Sequence, residues 1–75
     1  MKPTLLQLPK PIRRVLEKHG IESDDLTFEG NDLIVAFDDL DEAFAIRETM
    51  LDLTACCLIS KHGKPALMIH NIQNQ

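Results

Sequence analysis

The chain has 75 residues, 44% of them hydrophobic and 27% charged, with a formal net charge of −4. That length suits one small domain, residues 1–75, and that composition excludes wholesale disorder. The charge is divided: residues 1–20 balance at +4, residues 21–55 at −10 and residues 56–75 at +2, which bears on partners and not on fold.

In chain order, Pro9-Lys10-Pro11 opens a first helix, because proline is tolerated where a first-turn N–H has no acceptor. Leu8, Ile12, Val15 and Leu16 fall on one face. Lys10, Arg13, Arg14 and Lys18 fall on the other, a candidate anion-binding face. Gly20 ends the helix in the left-handed conformation, with Ile21 folding back on Leu16. Residues 26–29 alternate apolar and polar, Gly30-Asn31 supplies a two-residue turn, and residues 33–37 return as a second strand. Leu26, Phe28, Leu33, Val35 and Phe37 share one side of this hairpin; Thr27, Glu29, Ile34 and Ala36 share the other.

Asp38 or Asp39 caps a second helix expected over residues 40–53, and Asp39 with Glu42 has capping-box spacing. Its apolar arc is Leu40, Ala43, Phe44, Ile46, Met50, Leu51 and Leu53. Arg47 falls inside that arc, so its guanidinium must reach water, a carboxylate or a partner. A second hairpin follows, from Cys56 to Lys61, through His62-Gly63, and back from Lys64 to Ile69. Pro65 places the start of the returning strand at an edge or at an unpaired position. Cys56, Leu58, Leu67 and Ile69 share one side; Cys57, Ile59, Ala66, Met68 and His70 share the other. Residues 1–8 and 71–75 read as flexible ends.

The expected fold is α+β, an αββαββ domain with a four-stranded, mainly antiparallel sheet and two helices packed on one face. The other sheet face is also apolar and lacks a helix to cover it. Ile34, Ala36, Cys57, Ile59, Ala66 and Met68, with Arg47, are therefore the expected interface residues of a homodimer or of a contact with a protein partner.

Chemical signatures are sparse. Cys56 and Cys57 are neighbours, so in a strand their side chains point to opposite faces, and they read as apolar strand positions and not as a redox pair. With His19, His62 and His70 they lack the short paired spacings of a zinc site. Ser60-Lys61-His62-Gly63-Lys64 lacks the spacing of a phosphate loop. No Ser or Cys, His and acid lie together in sequence, so neither a catalytic set nor a cofactor is expected. Two cysteines, and an N-terminus broken by Gln7 and two prolines before any signal-like run, read as soluble, cytoplasmic and reduced, with no membrane contact.

The run C-L-I-S-K-H-G-K-P-A-L-M-I at residues 57–69 resembles the hairpin of Phd/YefM-type antitoxins, where I-T-x-x-G-K-P-V-A-V-L is common. The preceding strand and helix match that family's order, so the resemblance covers about half of the chain. The family opens on its strand, whereas here a helix and a strand precede it. What the resemblance implies is a DNA binder, using here the basic first helix. The leading expectation is a small non-enzymatic interaction or regulatory module acting through a sheet face. The competing one is a nucleic-acid-directed protein, either that DNA binder or an acidic decoy for a nucleic-acid-binding enzyme.

Overall fold

The computed structural model describes residues 4–72. A single 3-10 turn at Leu5–Gln7 leads into helix α1, Lys10–Lys18, and a second at Ser23–Asp25 leads into strand β1, Leu26–Glu29. Strand β2, Asp32–Ala36, helix α2, Leu40–Met50, and strands β3, Cys56–Lys61, and β4, Lys64–Ile69, complete the chain. The sheet order is β1-β2-β4-β3 and every neighbouring pair is antiparallel.

Local chemistry accounts for the element ends. Gly20 has φ +75°, the Ile21 N–H donates to the Leu16 carbonyl at 3.0 Å, and the Gly20 N–H donates to the Glu17 carbonyl at 3.1 Å. These are the two bonds of a Schellman termination. The β1–β2 turn has positive φ at Gly30 alone, the sign pattern of a type II′ turn, while His62 (φ 55°) and Gly63 (φ 78°) give the type I′ pattern. Both turns match the twist of their flanking strands. Asp39 caps α2, its carboxylate accepting from the Asp41 N–H at 3.0 Å. The bond goes to the second helical residue, so no box with Glu42 closes.

The core lies between the two helices and one face of the sheet. Ile12 and Leu16 from α1, Ala43, Ile46 and Met50 from α2, and Leu26, Leu33, Val35, Leu67 and Ile69 from the strands form one buried cluster. Leu8 and Ile72, expected in flexible ends, are buried members of it; residues 1–3 and 73–75 lie outside the described part. The Asn71 N–H, donating to the Asp32 carboxylate at 2.9 Å, holds the chain next to Ile72 in place.

Two expectations about α2 need correction. Helix α2 ends at Met50, because the Leu53 and Thr54 N–H groups both turn back to the Met50 carbonyl. Its buried face is Ala43, Ile46 and Met50, while Leu40, Phe44, Leu51 and Leu53 remain between 43% and 52% exposed. Strand β4 is central, so of the two settings expected for Pro65, an edge or an unpaired position, the second holds on the β2 side. Pro65 sits one residue beyond the last β2–β4 pair, Ala36 with Ala66. There the Phe37 N–H donates to the Pro65 carbonyl at 3.0 Å, and proline forgoes only the return bond.

Candidate functional site: an edge strand flanked by an apolar helix stripe

The sheet places the expected interface residues in unequal settings. Ile34 (3% exposed) and Ala66 (1%) are buried, Ala36 is exposed, and Cys57, Ile59 and Met68 are half-buried. Ile34 and Ala66 lie on the face away from both helices, so the chain itself covers them. Lys61 and Glu29, on the two edge strands, form an ion pair. Both residues point to that open face, so the pair crosses above β2 and β4 by the twist of the sheet. A depression of about 230 Å³ beside it is lined by Thr27, Ile34, Ala36, Lys61, Pro65 and Ala66. A second ion pair, Lys64 Nζ to Asp38 Oδ1 at 3.3 Å, lies at the same end.

A larger apolar surface lies on the other layer. At 100° per residue, Leu40, Phe44, Arg47 and Leu51 form one stripe along α2, spaced four, three and four residues apart. The opposite flank of α2 faces α1. There Thr49 and Leu53 line a depression of about 510 Å³ with Lys10, Arg14 and Val15. The Leu40 stripe therefore points away from α1, toward β3, on which α2 packs together with β4. Arg47, half-buried, is on this flank beside Cys56. Burial pushes the Cys56 thiol up, and the charge of Arg47 pulls the other way. Arg47 thus neither enters the core nor joins the open-face residues.

Strand β3 is the edge next to that stripe. The His70 N–H donates to the Ala55 carbonyl at 2.9 Å. Antiparallel alternation then turns the backbone groups of residues 57, 59 and 61 toward β4 and those of Cys56, Leu58 and Ser60 outward. Between Cys56 and Ser60 the edge carries no charge and no proline, the usual guards against pairing with another chain.

On the open face Cys57, His70 and Asp32 come together. Cys57 Sγ is 3.6 Å from His70 Nε2, and His70 Nδ1 is 4.0 Å from Asp32 Oδ1. The alternation of the second hairpin already put Cys57 and His70 on one side; Asp32 was hidden because the pairing of β2 with β4 is not local. Among the described residues no cluster of His, Cys, Asp and Glu has the form of a metal site.

The basic residues of α1 keep to its solvent side. Lys10, Arg14 and Lys18 are exposed, and Arg13 Nε lies 3.7 Å from Glu17 Oε1. Among the described residues no helix is long and apolar enough to cross a membrane. No family pattern, curated protein or solved structure matches the chain.

Proposed function

We propose that this protein is a non-enzymatic interaction module that pairs with a second copy of itself through the β3 edge and the outer flank of α2. The observation that carries the reading is the continuity of the two surfaces, a row of unpaired backbone groups beside a helix flank where Leu40, Phe44 and Leu51 are about half exposed.

A second copy fits by symmetry. Cys56, Leu58 and Ser60 face outward at even spacing, so an antiparallel pairing about Leu58 sets Leu58 against its counterpart and Cys56 against the partner's Ser60. Each such pair exchanges both backbone bonds. Spacing supports it further. Helix α2 packs on both β3 and β4, so an axis midway between the two strands is the simplest placement. Extending the sheet through a two-fold then sets the two α2 axes about 10 Å apart, the distance at which helices pack. In that antiparallel crossing Leu40 approaches the partner's Leu51, and Arg47 approaches the partner's Phe44 and Glu48. Arg47 is the one cation of an otherwise acidic helix, so its charge meets one of opposite sign. The open sheet face, with Ile59 and Met68, stays on the outside of this pairing.

Sedimentation velocity tests the reading. The chain is expected to sediment as a dimer at high micromolar concentration. Phe44→Arg sits at an exposed position, would set a cation against the partner's Arg47, and is expected to convert it to a folded monomer. A wild-type monomer throughout that range contradicts the proposal. The nucleic-acid alternative would use Lys10, Arg13, Arg14 and Lys18. Salt-sensitive binding to labelled duplex DNA that is lost on Arg14→Glu would favour it instead.

A further inference from the structure

We propose that Cys57 is a reactive thiol, activated by His70 and modified by small peroxides and other small electrophiles. This inference stands on the open sheet face and is independent of the pairing proposed above, which leaves that face uncovered.

The geometry belongs to three adjacent strands. Leu33 pairs with Ile69, so Asp32 and His70 stand opposite each other at the ends of β2 and β4; Cys57 pairs with Met68, so it lies diagonally from His70. The contacts are Cys57 Sγ to His70 Nε2 at 3.6 Å and His70 Nδ1 to Asp32 Oδ1 at 4.0 Å. The Asn71 N–H donates to the same Asp32 oxygen at 2.9 Å. A thiol touching an imidazole can pass it a proton, and a carboxylate facing the second ring nitrogen stabilises the imidazolium that forms. Asp32 is a positioning residue here. Among the other charged groups of this face Glu29 pairs with Lys61 and Asp38 with Lys64, and Asp25 and His62 line the depression beside them. Helix α2, with Arg47, lies on the opposite side of the sheet.

The step balances with peroxide as the only added reactant. His70 Nε2 takes the Cys57 proton, and the thiolate sulfur attacks one peroxide oxygen. The O–O bond breaks, and the leaving hydroxide takes the imidazolium proton to become water. Sulfur is oxidised to a sulfenic acid and the peroxide is reduced. Cys56 is poorly placed to resolve it, because its side chain points to the helix-covered face. A small external thiol would condense with the sulfenic acid to a mixed disulfide, releasing water.

Cys56 serves as the internal control. The unmodified chain is treated with iodoacetamide across pH 5 to 9, and fragmentation mass spectrometry reads the two cysteines separately. At pH 6 Cys57 is expected to react at least about tenfold faster than Cys56, because an imidazole in contact with its sulfur can take up the thiol proton and Cys56 has no such neighbour. His70→Asn is expected to abolish that advantage. Asp32→Asn is expected to slow the Cys57 reaction while leaving the Cys56 rate unchanged, a selective change that a merely structural aspartate would not cause. With hydrogen peroxide, dimedone should capture a sulfenic acid on Cys57 and none on Cys56. Equal labelling of the two cysteines at pH 6 overturns the proposal in the wild-type chain alone, whether or not either variant folds. A His70→Asn variant that folds and keeps the fast low-pH reaction overturns it equally.

Discussion

The two adjacent cysteines show how one position in a strand separates two chemistries. Cys56 points to the helix side, where burial raises its thiol above the ordinary value of 9.0 against the pull of Arg47. The folded state therefore prefers the neutral thiol. In the unfolded chain the same thiol ionises at its ordinary value, so the stability it contributes is complete below about pH 9 and is lost as pH rises through the folded value. Chemical denaturation across pH 8 to 10.5 checks this: wild type should lose stability more steeply than Cys56→Ala. Parallel curves would mean that burial does not act on this thiol. Arg47 was legible as the residue that breaks the apolar pattern of its helix. Its destination was not, since periodicity gives an angle around the helix and not the element met at that angle.

At the level of elements, the parts governed by neighbours in sequence were the legible ones. Gly20 with Ile21 specified the end of α1, and Gly30-Asn31 and His62-Gly63 specified both hairpins, because each requires a backbone conformation that few residues adopt. Gly63→Ala tests the second turn. Space is open at that position, so only the positive φ of 78° opposes a side chain. A loss of about 1–2 kcal/mol is expected by urea denaturation; no loss would mean that the turn relaxes to another form. Helix α2 was less legible. The seven apolar residues expected on it, two of which lie beyond its end at Met50, span an arc wider than one contact can bury, and the sequence does not say which side the sheet takes. The sheet takes Ala43, Ile46 and Met50, which leaves Leu40, Phe44 and Leu51 for another surface. The adjacency of β2 and β4 was illegible for a similar reason: α2 separates these strands, so no turn fixes which strand of one hairpin meets the other. That adjacency brings Asp32 to His70.

On the scale of the whole molecule, a 75-residue chain has a core that supplies a margin of only about 3–5 kcal/mol, and association is one way to extend it. The structure divides its surfaces accordingly. The basic face of α1 is turned to solvent, the open sheet face is crossed by the Lys61–Glu29 pair, and the β3 edge with the Leu40 stripe is the surface with neither charge nor cover along most of its length. The pairing proposed there joins two four-stranded sheets into one and sets four half-exposed apolar side chains of α2, Leu40 and Leu51 from each copy, against one another.

Amide hydrogen exchange at Leu58, followed as a function of protein concentration, tests this pairing most directly. Its N–H points out from the β3 edge and has no partner strand among the described residues, so in a monomer it exchanges as an exposed edge amide. Pairing about Leu58 bonds it to the partner's Leu58 carbonyl. Leu58 exchange is expected to slow as concentration rises, together with that of Cys56 and Ser60, while Ile59, already bonded to β4, changes little. Exchange at Leu58 that stays fast and independent of concentration, in a sample that sediments as a dimer, would place the contact elsewhere and contradict the account.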